Sequence, residues 1–299
     1  MITHFDSGNV RVNESTPDEQ VIDWGEYAIH AESAWKKTKG EGVKVAVIDT
    51  GWGDHPDLMD NIVLRGSMTT PDRDGNVPIF ASAGRDMHGH AQHVAGIIGA
   101  LDNGTGVVGV APGCSLMMAQ VIPGYVDDLV AGIEWCVASG ADIINMSIGG
   151  PTDHEEIHTA CKRAAAAGVI LVAAAGNTFA QGMDTVAFPA RYPEVIAVAA
   201  LDKELHKAVF SAAGPELINA VALPGVEITS CWKDGFYAID SGTSMAAPML
   251  SGIIALMLAL KKPKREEARN TVFELLKKIS DKRSDFTYAG LGMPDLSQI

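Results

Sequence analysis

Short runs rich in valine, isoleucine and alanine alternate with helical patterns, and this alternation limits the possible folds more than any other feature of the chain. The runs cover residues 43–48, 116–121, 143–148, 169–175 and 195–200. The helical patterns cover residues 90–100, 127–139 and 153–167. Apolar runs of this length, separated by helices, are typical of buried parallel strands joined by right-handed crossovers. We therefore expect an α/β fold with three layers, α/β/α, around a mainly parallel central sheet.

Composition narrows the class of protein further. The chain has 299 residues, and 47% of them are hydrophobic, which is enough for a large core. The 37 acidic and 23 basic residues give a net charge of −14, which argues against nucleic acid or an anionic membrane as partner. The longest apolar runs, 169–175 and 253–260, have the length of core elements, so no membrane span is expected.

The N-terminus and the cysteines indicate a compartment. Residues 1–19 are polar and acidic and lack the features of a signal peptide. The four cysteines are scattered without disulfide or metal-ligand spacing. We expect a cytoplasmic protein with free thiols, in which residues 1–19 form an extension and residues 20–299 form one domain.

Polar residues collect where the expected strands end. Asp49 closes the first run, and residues 147–150 and 173–177 follow two others. In open α/β sheets, ligands bind outside the carboxyl ends of the strands. The sequence therefore predicts a site at this edge of the sheet.

Residues 241–252, S-G-T-S-M-A-A-P-M-L-S-G, lead from a glycine turn straight into an apolar helical pattern. Ser244 lies at that junction, where the unpaired N–H groups of a helix start suit a developing oxyanion. The alternative is that Thr243 or Ser244 only caps the helix, as such residues commonly do.

Residues 86–96, D-M-H-G-H-A-Q-H-V-A-G, hold three histidines with three possible roles. They could bind a metal through His88, His90 and His93, supply a general base, or be structural. Nucleophilic catalysis needs a hydroxyl, an imidazole to take its proton, and a carboxylate to orient the imidazole. Asp49, His90 and Ser244 could supply these three groups.

Six motifs together resemble the subtilisin-like serine proteases over residues 20–299, and the short extension is similar to that of intracellular subtilisins. The motifs are V-A-V-I-D-T-G (45–51), H-x-x-H-V-A-G (90–96), G-V-A-P (109–112), N-M-S-I-G-G (145–150), A-A-A-G-N (173–177) and G-T-S-M-A-A-P (242–248).

The resemblance implies a serine endopeptidase that works through an acyl-enzyme and acts on protein or peptide substrates. In it Asp49 orients the imidazole, His90 is base and then acid, and Ser244 is the nucleophile. Asn177 resembles the side-chain oxyanion donor, although asparagine is also a common left-handed loop residue.

The resemblance also implies substrate-binding residues and a structural Ca²⁺ ion. The S1 pocket would be formed by Ser147, Ile148, Gly149, Gly150, Ala174, Gly176 and Ala187, with a preference for apolar P1 side chains. The calcium ligands would be Gln20, Asp57, Leu101, Asn103, Thr105 and Val107, which are oxygen donors of the kind that Ca²⁺ prefers. The alternative for residues 101–107 is a plain surface turn.

Three departures from the family pattern leave alternatives open. Ala91-Gln92 replaces the usual Gly-Thr after the catalytic histidine, which could narrow the cleft, and the loop at residues 122–128 is shorter than usual. Met249-Leu250-Ser251-Gly252 replaces the usual H-V-A-G, where we expect helix packing and no loss of chemistry. The chain could instead be a dedicated leader or propeptide processing protease, or a non-catalytic relative that binds peptides. Residues 1–19 could cover the cleft until they are removed.

Overall fold

A computed structural model describes residues 3–4, 10–69, 84–178, 184–281 and 290–299. The strands are β1 (Thr3–His4), β2 (Arg11–Asn13), β3 (Lys44–Asp49), β4 (Ile62–Ser67), β5 (Ser115–Gln120), β6 (Ile143–Met146), β7 (Ile148–Gly149), β8 (Ile170–Ala174), β9 (Val195–Leu201), β10 (Val221–Pro224), β11 (Ile228–Cys231), β12 (Tyr237–Asp240), β13 (Ser280–Asp281) and β14 (Met293–Pro294). The helices are α1 (Trp24–Ala28), α2 (Ala31–Trp35), α3 (His90–Gly99), α4 (Val126–Ala138), α5 (Glu155–Ala166), α6 (Thr243–Lys261) and α7 (Ala268–Ile279).

Seven strands form the central sheet in the order β10-β9-β8-β6-β3-β5-β4. Every neighbouring pair in this sheet is parallel. The five predicted strands and three predicted helices all exist, with ends within about two residues of the expected positions. The prediction of an α/β fold around a mainly parallel sheet is confirmed.

Helices cover both faces of the sheet, and the side chains of β3 show how the layers are separated. Val45 and Val47 belong to the core cluster with α3 and α6, whereas Ala46 and Ile48 belong to the cluster with α4 and α5. Successive side chains of a strand point to opposite faces, so a strand buried on both faces must be apolar at every position. This explains why the strands are continuous apolar runs.

Helix α6 is the longest helix in the described part of the chain and lies in the larger core cluster. By length and composition alone its 19 residues could cross a membrane, although most of the helix is buried inside the protein. The helix begins well before the apolar run 253–260. Thr243, Ser244 and Ser251 lie in this earlier part and are also buried. The burial identifies α6 as a core helix.

Two strands of the N-terminal extension pair with the rest of the chain. Strand β1 is antiparallel to β7, and β2 is antiparallel to β12. Arg11 of β2 also forms an ion pair with Glu227. The division into an extension and one domain remains a prediction, but these described parts of the extension lie on the body of the protein.

Candidate active site

Asp49 and His90 meet at the carboxyl edge of the central sheet. Asp49 is the last residue of β3, and His90 is the first residue of α3. His90 Nδ1 lies 2.8 Å from Asp49 Oδ1, and both side chains are fully buried. A second bond to Asp49 Oδ1, from the Thr50 N–H at 2.7 Å, holds the carboxylate in place. The pair can therefore fix the imidazole so that its other nitrogen is the one that exchanges protons.

Asp86 joins the two segments that carry this pair, a role that no sequence motif indicates. Its buried Oδ1 accepts bonds from the Thr50 hydroxyl at 2.9 Å and from the N–H groups of His88 and Gly89 at 3.0 and 2.7 Å. Its Oδ2 accepts from the Gln92 N–H at 3.2 Å. Asp86 lies four residues before His90, so it does not stand at the usual capping position and was missed.

Ser244 is the second residue of α6, and the N-cap of that helix is Gly242. The alternative that Thr243 or Ser244 only caps the helix is therefore wrong. Glycine takes this place with a fully extended backbone and has no side chain of its own to cap the helix. The Ser244 hydroxyl donates to the Ser147 carbonyl at 3.0 Å. Ser244 is thus held at the amino end of α6, against the segment that contains β7.

Asn177 follows β8 and contacts the start of α6. Its Oδ1 accepts from the N–H and the hydroxyl of Thr243, at 2.9 and 2.8 Å. The Thr243 hydroxyl in turn accepts from the Gly176 N–H at 3.1 Å. Asn177 Nδ2 is buried and has no hydrogen-bond partner among the residues that the structure describes. The amide therefore presents an unused donor one residue away from Ser244.

The expected substrate-binding residues form two adjoining segments. Residues 147–150 contain β7, and Gly150 exchanges two backbone bonds with Phe188, at 3.0 and 2.9 Å. The Ala187 N–H bonds the Ala175 carbonyl at 2.9 Å, which brings Ala187 beside the segment that contains Ala174 and Gly176. Strand β1 of the extension pairs with β7 in the register Thr3 to Gly149 and His4 to Ile148.

The expected calcium ligands also converge. Gln20 Nε2 lies 2.7 Å from the Leu101 carbonyl oxygen and 3.4 Å from those of Thr105 and Val107. Asn103 Nδ2 donates to Asp57 Oδ1 at 3.0 Å. Asp57 Oδ2 accepts from the Val107 N–H and the Tyr237 hydroxyl, both at 2.9 Å. All six residues thus belong to one hydrogen-bonded cluster.

The three histidines do not gather around one point in the described structure. His90 faces Asp49, whereas His93 Nε2 lies 3.1 Å from the carbonyl oxygens of both Ile228 and Ala238. Burial, together with a smaller effect of the neighbouring His90, lowers the pKa of His93 to about 3. His93 is therefore a neutral structural residue at pH 7. The metal-binding interpretation finds no support in this arrangement.

The two residues that replace the usual Gly-Thr after His90 are both buried. Ala91 and Gln92 lie inside the protein, and a side chain added at Gly53 would collide with the Gln92 amide. Gln92 therefore packs against the loop after Asp49, and a narrower cleft remains a prediction.

Comparisons with known proteins agree with this geometry. The model of the subtilase family matches residues 40–289. An intracellular serine protease of Paenibacillus polymyxa is 42% identical over 240 residues, which are 78% of this chain and 71% of that protein. Subtilisin DY of Bacillus licheniformis is 41% identical over 227 residues, 74% of this chain and 78% of its own. Subtilisin E of Bacillus subtilis is 42% identical over 226 residues, 74% of this chain and 56% of its own. The chain therefore belongs to the subtilase family and is a serine endopeptidase.

Proposed function

We propose that Asp49, His90 and Ser244 form the catalytic triad and that the enzyme cleaves peptides through an acyl-enzyme. The buried contact between His90 Nδ1 and Asp49 Oδ1 carries this proposal. It is supported by Ser244 at a helix start, where backbone N–H groups have no helical partner. The order Asp, His, Ser along the chain is that of the subtilisins, which are themselves a reference case for the triad.

The proposed reaction follows from what each group can do. His90 takes the proton of the Ser244 hydroxyl as oxygen attacks the peptide carbonyl, and Asp49 stabilises the imidazolium that forms. His90 then gives the proton to the leaving amine, and water repeats the sequence to release the acyl group. The Ser244 N–H and the unused Asn177 Nδ2 would donate to the oxyanion, because the first belongs to the attacking residue and the second to a side chain bonded to the preceding Thr243.

The substrate would bind along residues 147–150 as an added antiparallel strand. Small residues line the adjoining segment, and a methyl group at Gly176 would stand only 3.3 Å from the Ala187 side chain. This close approach supports a short S1 pocket formed with Ala174 and Ala187. We expect a preference for leucine or methionine at P1. A library of peptides varied at P1 tests it, and a strong preference for lysine, arginine or glutamate would contradict it.

The cluster around Gln20 fits a structural Ca²⁺ ion. Three carbonyl oxygens face one side-chain amide, and the Asp57 carboxylate lies in the same cluster. Calcium takes six to eight such oxygens, and the Gln20 amide can turn its own oxygen toward the three carbonyls. The ion would be held by Gln20, Asp57 and Asn103 with the carbonyls of Leu101, Thr105 and Val107. Its charge would stabilise the loop after α3.

The extension would inhibit the enzyme. Strand β1 uses the same edge, β7, that an extended substrate would use. Removal of residues 1–19 should therefore raise the rate of peptide cleavage. Equal activity of the full chain and of a chain beginning at Gln20 would contradict this.

A cytoplasmic location is proposed from the similarity to the intracellular serine protease and from the four buried cysteines, which form no disulfide with one another.

Labelling with a fluorophosphonate probe tests the central proposal. The wild type should be labelled, and Ser244→Ala should not be. Ser241→Ala is a matched control, because this nearby hydroxyl only accepts the Glu227 N–H and should not be needed. Absence of labelling in folded full-length protein and also in the chain beginning at Gln20 would overturn the proposal. Broad cleavage of casein by the labelled enzyme would exclude a role restricted to one leader peptide.

A further inference from the structure

Buried hydrogen bonds connect the middle of α6 with Ser244 at its start. The Ser251 hydroxyl donates to Asn145 Oδ1 at 2.9 Å, and Asn145 Nδ2 donates to Ser147 Oγ at 3.0 Å. The Ser147 hydroxyl donates to the Ser244 carbonyl at 2.9 Å. All four residues are completely buried. The connection leaves the helix at Ser251, crosses β6, and returns to the helix at Ser244.

Pro248 explains why the Ser244 carbonyl needs a donor from outside the helix. In an α-helix this carbonyl would accept the N–H of the residue four positions later, which here is Pro248. Proline has no N–H, so the helix cannot supply the bond. A buried carbonyl without a hydrogen-bond donor is costly, and the Ser147 hydroxyl supplies the missing hydrogen bond.

Ser251 favours one direction of these bonds, because its hydroxyl donates to Asn145 Oδ1 at 2.9 Å, whereas its other acceptor, the Ala247 carbonyl, is more distant at 3.3 Å. Ser147 has one hydroxyl proton, and it points to Ser244 because the Asn145 amide donates to the Ser147 oxygen. Asn145 presents its NH₂ group to Ser147 while its oxygen accepts the Ser251 hydroxyl. With the amide reversed, Asn145 would accept the Ser147 proton and the Ser244 carbonyl would lose its donor.

We propose that Ser251 is a positioning residue that acts through Asn145 and Ser147 to hold the backbone of Ser244. The inference rests on the proposed role of Ser244 as nucleophile. The Ser147 carbonyl also accepts the Ser244 hydroxyl, so both polar ends of this serine contact Ser147. The usual family motif has alanine at the position of Ser251, so the hydroxyl is a feature of this chain and has a role beyond the helix packing expected from the sequence.

Removal of the Ser251 hydroxyl tests the proposal. Ser251→Ala should lower the rate of fluorophosphonate labelling and kcat on a peptide amide by about fivefold, the effect of one neutral hydrogen bond, with KM unchanged. Ser211→Ala is the matched control, because this buried hydroxyl accepts the Ala200 N–H and takes no part in the bonds between Ser251 and Ser244. Its kcat should equal that of the wild type. Each variant is made in the full chain and in parallel in the chain beginning at Gln20.

A second substitution separates positioning from packing. Pro248→Ala restores an N–H that can bond the Ser244 carbonyl within the helix. In that background, Ser251→Ala should change kcat by less than about twofold, because the outside donor is no longer needed. If Ser251 acted only through packing, Ser251→Ala would lower kcat by the same factor in the wild type and in Pro248→Ala. If the Pro248 variant does not fold, Ser251→Ala is instead added to Ser147→Ala, where it should have no further effect on kcat.

The possible failures are distinguishable. A wild type that does not react in either form would refute the serine peptidase proposal itself. A reactive wild type with an equally reactive Ser251→Ala would refute only the positioning role, as would equal losses in the two backgrounds. If Ser251→Ala does not fold, Ser251→Cys keeps the side-chain size with a weaker donor and should give a smaller loss that Pro248→Ala also suppresses.

Discussion

At the scale of single residues, the Asn177 amide gives the sharpest expectation. Its Oδ1 is fixed by two bonds to Thr243, while its Nδ2 is buried without a partner in the described structure. Asn177→Leu should lower kcat about 100- to 1,000-fold with little change in KM, because the donor is used only when the oxyanion forms. That magnitude was measured on a subtilisin. Steady-state kinetics on a peptide amide, with thermal unfolding to confirm the fold, provide the measurement.

A contrary result for Asn177 would be equally informative. If KM rises while kcat stays constant, the amide binds the substrate in its ground state and the oxyanion role is wrong. Thr243→Val is a useful comparison, because it removes one of the bonds that orient Asn177 and keeps the donor itself. It should lose less activity than Asn177→Leu.

Glu26 is a buried residue whose ionisation affects stability. Burial, and then the charge of nearby Asp23, raise the pKa of Glu26 well above its usual 4.5. Between the unfolded and folded pKa values, the folded protein binds the extra proton. The free energy of unfolding should therefore fall as pH rises through this range, by up to about 1.4 kcal/mol per pH unit.

Glu26→Gln should remove this dependence on pH and leave the protein at least as stable at pH 7. Urea unfolding from pH 5 to 8 measures it. Glu41→Gln is the control, because a bond from the Thr38 hydroxyl lowers the pKa of Glu41, so this group titrates below the measured range and the variant should keep the wild-type slope. The same slope against pH in Glu26→Gln and in the wild type would contradict the expectation.

The role of a residue could be predicted from the sequence where the residue belongs to a local sequence pattern. Asp49 lies at the end of an apolar run and His90 at the start of a helical one, so their positions at the sheet edge follow from the pattern. The roles of Asp86 and Ser251 depend on partners that are distant in sequence, such as Thr50 and Asn145. No local pattern specifies such contacts.

At the scale of elements, the start of α3 depends on Asp86. This carboxylate accepts four bonds and connects the residue after Asp49 with the turn before His90. Asp86→Ala should lower the free energy of unfolding by about 2 to 4 kcal/mol, because buried donors lose a charged acceptor. It should also lower kcat, since the contact between Asp49 and His90 relies on both segments.

Denaturant unfolding and peptide cleavage by the same Asp86→Ala sample provide the measurement. Asp127→Ala, a first-turn acid on the exposed side of α4, is the matched control and should change stability by less than about 1 kcal/mol. A stable Asp86→Ala enzyme with full activity would show that the turn before His90 is held by other contacts.

The elements of the central sheet could be predicted because burial on both faces makes a strand continuously apolar. The strands of the extension could not be. Strand β2 has the sequence R-V-N with every residue exposed, and its pairing with β12 depends on backbone bonds that leave no hydrophobic pattern. Strand β1 pairs with β7 over only two residues, Thr3 and His4, which is too short for a recognisable sequence pattern.

At the scale of the whole molecule, the parallel topology brings Asp49, residues 147–150 and Asn177 to one edge of the sheet. All seven strands run in the same direction, so their carboxyl ends lie at the same edge. Helix α6 then delivers Ser244 to that edge from a part of the chain nearly 200 residues after Asp49. The position of the site at this edge could thus be predicted from the parallel strands alone. Its hydrogen bonds could not, because they depend on contacts between residues that are distant in sequence.

The proposed calcium site links the start of the domain to the loop after α3, and its effect belongs to the stability of the whole protein. Backbone bonds between Val21 and residues 106 and 108 already join these two segments, and Gln20 adds its contacts to three carbonyls. Calcium at about 100 times its Kd should raise the free energy of unfolding by about 2.7 kcal/mol, and a chelator should remove this gain.

Gln20→Ala should lose most of this calcium dependence, because its side chain approaches all three carbonyls of the cluster. Gln298→Ala is the matched control, since its amide contacts only Asp295 near the C-terminus and should leave the dependence intact. Denaturant unfolding of the three proteins with calcium and with chelator provides the comparison. If the wild type is equally stable in both conditions, Gln20 itself serves as the donor that the carbonyls need, and the cluster is a closed hydrogen-bonded joint without an ion.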